Sequence, residues 1–359
     1  LKNFHLIFNY ETNKCGTDRL WNGRAFISRA NHLRHQWIKI RETKAPNISI
    51  IKERYPDAII VNDTNDILGD PLIDLVVVAT PNVTHYDLAK QALNADKNVV
   101  VDKPFTVTSK EAEELIELSK KKNKLLTVYQ NRRWDSDFLT VKKVIQSNLL
   151  GNLVEYEAHY DRFRNTIRPD TWKEDGVLGT GLVYDLGSHL IDQAQVLFGL
   201  PSTVTGFMRT QRQNTRIIDN FEIILDYEKV KATLKGGMLI KEALPHFILL
   251  GNNGSFIKYG MDVQEEALIA AQVPNKSLAW GEEPETLWGT LNTEANGVEF
   301  RGKIKSERGN YVGYYENIYK ALIGEEELAV KSEQGKNTIR IIELAMQSNE
   351  EKRTISYSD

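Results

Sequence analysis

The sequence predicts an α/β protein in two parts. A domain with a parallel sheet comes first, and an α+β domain with a large, mostly antiparallel open sheet follows. Three observations carry this. The run DLVVVATPNVTH at 74–85 and the run NVVVDKPF at 98–105 are apolar on both faces, as strands between two helix layers must be. Between about 38 and 129 strand and helix patterns alternate, which implies right-handed crossovers and parallel pairing. After about 150, short apolar runs follow one another with few helices between.

The elements follow in order. Ile38–Ile40 is a short strand, a helix covers about Ile48–Tyr55, and Ala58–Val61 is the next strand. Ile73–Thr80 is the clearest strand. Thr84 is placed to cap a helix running to about Ala95, with Leu88, Ala89, Ala92 and Leu93 on one face. Asn98–Val101 is a strand, and Thr108 with Glu111 has capping-box spacing. That helix ends in Lys120, Lys121 and Lys122, which suit its negative end. Leu125–Tyr129 completes the first domain, residues 1–129, and the second takes 130–359. Strands are expected at Leu153–Tyr160, Thr203–Thr210, Phe221–Tyr227, Lys231–Ile240 and His246–Leu250, with a turn at Asn253-Gly254. One clear helix, about 182–198, interrupts them and is closed by Gly199 and Pro201.

Composition narrows the function. With 359 residues, 41% hydrophobic and 26% charged, the chain reads as a globular protein. A net charge of -3 gives no footing for nucleic acid or an anionic membrane. A single cysteine, Cys15, excludes a disulfide framework or a cysteine zinc site. No spanning run or leader pattern is seen, so a cytoplasmic enzyme is expected.

Ligands of open parallel sheets bind beyond the carboxyl ends of the strands. Thr80, Pro81, Asn82 and His85 follow one such end, and Asp102-Lys103-Pro104 follows another. Proline after Lys103 biases that residue towards extended backbone. A lysine there can hold a substrate oxygen, or it can be merely solvated. In the helix VYDLGSHLIDQA, Asp185, His189 and Asp192 fall at i, i+4 and i+7 on one face. A carboxylate one turn before a histidine can orient the ring, and a histidine suits a general base for a hydroxyl proton. A solvated face with an ion pair is the plainer alternative, and a metal reading has no further histidines behind it. Asn131 and Arg132 in YQNRRWD either reach the crevice or, with Arg133 and Asp135, form ion pairs. Arg162, Arg164, Arg168 and Trp172 either line a polar pocket or belong to a surface loop.

Taken together, ATPNVTH, DKPF, QNRRWDSDF and DLGSHLID resemble the Gfo/Idh/MocA family of nicotinamide-dependent oxidoreductases over roughly 38–359. Asp102 replaces the family's usual glutamate. The GSFIKYGMD loop and the NRRWD stretch look most like the subgroup containing NADP-dependent scyllo-inositol dehydrogenase. The resemblance implies a Rossmann domain, a C-terminal α/β domain with an open sheet, and homodimers or homotetramers packed through that sheet. It also implies Lys103 as substrate-binding and proton-relay residue, His189 as general base and Asp185 as its partner. Thr80, Pro81, Asn82, His85, Lys103, Asn131 and Arg41 are the expected cofactor contacts. Arg132, Arg164, Trp172, Lys103, Asp185 and His189 are the expected substrate contacts. The implied reaction moves a hydride between NADP or NAD and a hydroxyl or carbonyl of a sugar, inositol or related polyol. The alternatives are a reductase of a non-sugar carbonyl or dihydrodiol, or a catalytically silent binding protein.

Two places strain the pattern. The family's G-x-G-x-x-G strand-turn-helix fingerprint is absent from residues 1–37, which hold only Gly16 and Gly23. A one-nucleotide shift across residues 9–33 permits a start methionine, an apolar strand, the glycine fingerprint and H-x-P in one register, so this segment reads as frame-shifted. At the end of the second strand, IKIRETK sets Arg41 and Lys44, which favour a 2′-phosphate and hence NADP, beside Glu42, which keeps NAD open.

Overall fold

The computed structural model describes residues 39–41, 45–54, 56, 58–169, 171–270, 272, 274 and 279–358. The frame-shift reading of residues 1–37, and Glu42 and Lys44, on which the expected choice of nucleotide turned, lie outside the described residues. Of Arg41 only the strand backbone is described.

The chain divides into two units. In the first, β1 (Lys39–Arg41) leads through α1 (Ala45–Arg54) to β2 (Ile59–Val61), which pairs with β1 in parallel. After α2 (Asn65–Leu68) come β3 (Leu75–Val78), α3 (His85–Asn94), β4 (Asn98–Val101), α4 (Ser109–Lys122) and β5 (Leu126–Val128). Strands β3, β4 and β5 form a parallel sheet in that order, with Val77 opposite Val100 and Val100 opposite Thr127. Every residue of β3 is buried, as the two-faced apolar pattern requires. The capping box at α4 is present, with Thr108 Oγ1 accepting from the Glu111 amide at 3.2 Å and Glu111 returning a carboxylate oxygen to the Thr108 amide at 3.1 Å. Thr84 does not cap α3. Its hydroxyl turns back to Thr80 Oγ1 at 2.6 Å and Pro81 O at 2.8 Å, because a short 3-10 turn, Asn82–Thr84, precedes the helix.

The main stretch of the first unit ends at Gln130, and two later stretches of chain join it. Pro169–Trp172 and Val312–Ile339 belong to the first unit. Thr127 Oγ1 donates to Val330 O at 2.7 Å, and the Tyr314 ring meets Tyr129 edge-on at 4.9 Å. Such long-range packing leaves no periodic mark in a local window.

The second unit starts after Gln130 with the 3-10 turn Asn131–Trp134 and α5 (Ser136–Gln146). Then come β6 (Leu153–Asp161), a π-helical turn at Val183–Gly187, and α6 (Ser188–Phe198). The strands β7 (Thr203–Arg209), β8 (Asn220–Asp226), β9 (Lys231–Gly237), β10 (Phe247–Gly251) and β11 (Gly254–Lys258) follow. After α7 (Gln264–Ile269) come β12 (Gly289–Ala295) and β13 (Val298–Ile304); α8 (Val312–Leu322) and the start of α9 (Ser332–Glu351) lie in the first unit, and the rest of α9 and β14 (Ile355–Ser356) in the second. Nine strands form one sheet in the order β13-β12-β11-β10-β6-β9-β8-β7-β14. Its pairs are antiparallel apart from β6 with β9.

One face of the sheet is apolar and buried, carrying Tyr156, Tyr160, Leu225, Ala232, Leu249 and Phe256. The other carries Glu155, Glu157, His159, Lys231 and Lys235, with Phe207 and Leu250 exposed among them. The buried face is tight. A Cβ at Gly206 on β7 would come within 2.1 Å of Ala345 O on α9, so the strand and helix meet backbone to backbone. Helix α9 was not legible, because its Thr338-Ile339-Arg340-Ile341-Ile342 run is β-branched and reads as a strand in isolation. The turn expected at Asn253-Gly254 falls one residue earlier, at Asn252-Asn253. Among the described residues no helix is long and apolar enough to cross a membrane.

Candidate functional site

In the first unit the carboxyl ends of β3 and β4 hold the expected polar residues. Thr80 and Asn82 are buried beyond β3, and Lys103, partly exposed, follows β4 through a cis Lys103-Pro104 peptide. Asp102 Oδ1 accepts from the Lys103 amide at 2.7 Å. His85 is fully buried, with Nε2 2.9 Å from Thr80 O and Nδ1 2.8 Å from Pro104 O, and its neutral ring donates its one N–H to one of these carbonyls. Burial lowers its pKa against the pull of Asp102 and of the carbonyls. His85, an expected cofactor contact, thus lies between the loops after β3 and β4. Trp172, partly exposed, opens a short 3-10 turn that ends at Glu174.

In the second unit the π-helical turn and α6 carry Asp185 and His189. The predicted single helix from 182 begins as a π turn, a distortion common at functional sites. Residues Ser188 to Gln195 are all buried, so His189, 4% exposed, and Asp192, 1% exposed, lie on no solvated face. Asp192 is taken by Arg133 in a bidentate pair, at 2.7 Å from Nε and 2.6 Å from Nη2. Gln193 Nε2 donates to Arg132 O at 3.2 Å. The turn Asn131–Trp134 is thereby fastened to the helix bearing His189.

Asn131 and Arg132 are buried at 6% exposure each. Arg132 pairs with Asp135 at 3.0 Å and with Glu265, and its guanidinium lies over the Tyr160 ring, 5.2 Å from the centroid. The ion-pair reading of Arg132 describes its surroundings. Arg164 follows β6 and donates its amide to Met238 O at 2.7 Å. Asp185 Oδ1 accepts from Lys173 at 3.0 Å, a partner that lies twelve residues away and off the helix, where no spacing argument reaches.

Sequence reasoning also missed a buried polar group beside His189. The Tyr160 ring lies 6.2 Å from the His189 ring and 4.9 Å from that of His246. Burial pushes His246 down to about 3, keeping it neutral, and its Nε2 lies 3.6 Å from Asp137 Oδ2. Burial pushes the Asp137 carboxyl up to about 7 against the pull of Lys258, with Asp262 and Glu283 adding to the rise. The alternation of β6 placed Tyr156 and Tyr160 on one face, which is the signal that could have found this group.

A carboxyl raised in the folded state contributes stability that is complete below its unfolded value and is lost as pH climbs through the folded one. For Asp137 that window runs from the carboxylate range to about 7. Asp137→Asn, which mimics the protonated acid, is therefore expected to gain in Tm over the wild type as pH rises from about 5 to about 8. Parallel Tm profiles for the two proteins would remove Asp137 from this account.

Comparison with known proteins agrees with this architecture. The model described as "Oxidoreductase family, NAD-binding Rossmann fold" matches residues 15–130. The one described as "Oxidoreductase family, C-terminal alpha/beta domain" matches 142–357. The chain is 41% identical over 305 residues to scyllo-inositol 2-dehydrogenase (NADP(+)) IolW of Bacillus subtilis, covering 85% of each. The solved structure of yvaA from Bacillus subtilis superposes with a TM-score of 0.90 at 36% identity, covering 98% of each chain. A solved oxidoreductase structure from Bacteroides fragilis gives 0.86 at 44% identity, covering 98% of this chain and 99% of that one. The chain belongs to the Gfo/Idh/MocA family of oxidoreductases, with a nucleotide-binding Rossmann domain and a C-terminal α/β domain.

Proposed function

We propose that the chain is a dehydrogenase acting on a CH–OH group of an inositol, sugar or related polyol, with NADP preferred over NAD. The observation that carries this is the buried His189 on α6 directly after the π turn bearing Asp185, since a hydroxyl proton needs a base held in a dry, fixed position. Likeness to an NADP-dependent inositol dehydrogenase over 85% of the chain supports both the substrate class and the nucleotide. The donor set after β3 and β4 fits a nicotinamide nucleotide. It offers Thr80, Asn82 and the cation Lys103 at one edge of a parallel sheet, held in register by His85. A bound nicotinamide supplies the hydride acceptor.

The chain's own residues do the rest. The Lys103 ammonium donates to the substrate oxygen, which steadies the negative charge that grows there. His189 takes the hydroxyl proton as the carbonyl forms, and Asp185 accepts a hydrogen bond from the substrate and keeps the imidazole in place. In the reverse direction His189 returns the proton. Arg133 holds the helix from behind through Asp192, so the base does not drift. Asn131, Arg164 and Trp172 are assigned to the rim of the substrate and nucleotide site on the resemblance alone.

The open sheet face, with Phe207 and Leu250 exposed among charges, supports assembly as homodimers or homotetramers. Sedimentation velocity is expected to find such a species, and a monomer at micromolar concentration would contradict it. For the chemistry, NADP reduction is followed with scyllo-inositol, other inositols and sugars. His189→Ala is expected to lower kcat by about a hundredfold or more while nucleotide affinity stays unchanged. Unaltered turnover at saturation, with a large loss of nucleotide binding, would contradict the assignment.

A further inference from the structure

We propose that Lys173 is a positioning residue that holds the Asp185 carboxylate in place and in its ionised form. The inference rests on the dehydrogenase reading of Asp185 given above. Lys173 Nζ lies 3.0 Å from Asp185 Oδ1, with side chains 44% and 21% exposed. An exposed pair of this kind is ordinarily loose and contributes little. This one is built differently, because the segment before Asp185 is hydrogen-bonded to Ile218, and the segment bearing Lys173 is tied through Arg212 to the adjacent Asp219.

On the lysine side, the neighbouring Glu174 grips the Arg212 guanidinium through both carboxylate oxygens, at 3.2 and 2.9 Å. Arg212 is fully buried, donates Nε to Asp219 at 2.9 Å, and reaches Thr166 O at 3.2 Å. Asp219 is fully buried as well, and accepts from the amides of Gln211 and Arg212 at 2.7 and 3.0 Å. The backbone that presents Lys173 is thus fixed by an interior network one residue away.

On the aspartate side, the Leu182 amide donates to Ile218 O at 2.8 Å, and the Asp185 amide donates to Gly181 O at 3.0 Å. Gly181 has φ of +89°, and a Cβ there would come within 3.1 Å of Ile218 O, so the chain enters the π turn pressed against Ile218. The π turn Val183–Gly187 then carries Asp185. Two anchored segments meet across the Lys173–Asp185 contact, with little freedom to part.

A fixed cation 3 Å from a carboxylate favours its charged form. That keeps Asp185 an acceptor for a substrate hydroxyl and leaves the proton to His189. Lys173→Met removes the charge and keeps the length. With NADP and scyllo-inositol, this variant is expected to lose about tenfold or more in kcat/KM, and the acid limb of its pH profile moves up by about one unit. Nucleotide affinity and Tm stay at wild-type values. Lys173→Arg is expected to restore most of the rate and the original acid limb. The Asp185 carboxyl carbon, assigned with Asp185→Asn and followed by NMR, is expected to titrate at higher pH in Lys173→Met, independently of turnover. A Lys173→Met enzyme with the wild-type acid limb and wild-type carboxyl titration would overturn the proposal. If Asp185→Asn itself turned over like the wild type, the failure would lie in the dehydrogenase reading of Asp185. If Asp185→Asn were crippled and Lys173→Met were not, it would lie in the role of Lys173.

Discussion

Helix α6 has no solvent face along its first two turns, and that constraint orders the second unit. Ser188 to Gln195 are all buried, yet they include His189, Asp192, Gln193 and Gln195. Burying a polar group costs free energy unless it is hydrogen-bonded, and a buried carboxylate costs most unless it is paired. Asp192 is matched by both arms of Arg133, and the amide nitrogen of Gln193 by the Arg132 carbonyl. These bonds make the turn Asn131–Trp134 a fixed neighbour of the helix and set His189 against Tyr160. Removing one partner of such a pair leaves the other charge stranded, so the arrangement is all or nothing. A proton acceptor gains from that rigidity, because its reach to a hydroxyl is measured in tenths of an ångström.

The first unit uses a different device for the same end. Its β3 and the Val99–Val101 run of β4 are apolar on both faces and need no polar partners. The loops after β3 and β4, which carry Thr80, Asn82 and Lys103, have no ladder of their own. His85 packs between them from full burial, its ring within 2.9 Å of Thr80 O and 2.8 Å of Pro104 O, one of which takes its N–H. A histidine at the start of α3 thus turns two loops into one edge.

Much of this was legible in the sequence for physical reasons. Parallel β3 and β4 announce themselves because burial on both faces forces unbroken Val runs. The Thr108 and Glu111 box closes within three residues and so is visible locally. The pattern around Asp185 and His189 picked out the right helical segment but not its geometry, since a π turn has no sequence period of its own. Lys173 as the partner of Asp185, Arg212 as the hub of Glu174 and Asp219, and the return of Val312–Ile339 to the first unit are all long-range. Helix α9 was hidden by its own isoleucines, whose β-branching is overridden by packing against β7 at Gly206.

Hydride transfer by this chain requires that it hold a nicotinamide nucleotide. The direct test is a fluorescence titration of the whole protein with NADPH and then NADH. Micromolar binding of NADPH, tighter than that of NADH, is the predicted result and fits a polyol dehydrogenase with Lys103, Asp185 and His189 at work. No binding of either nucleotide would contradict it and leave the chain a catalytically silent member of its family.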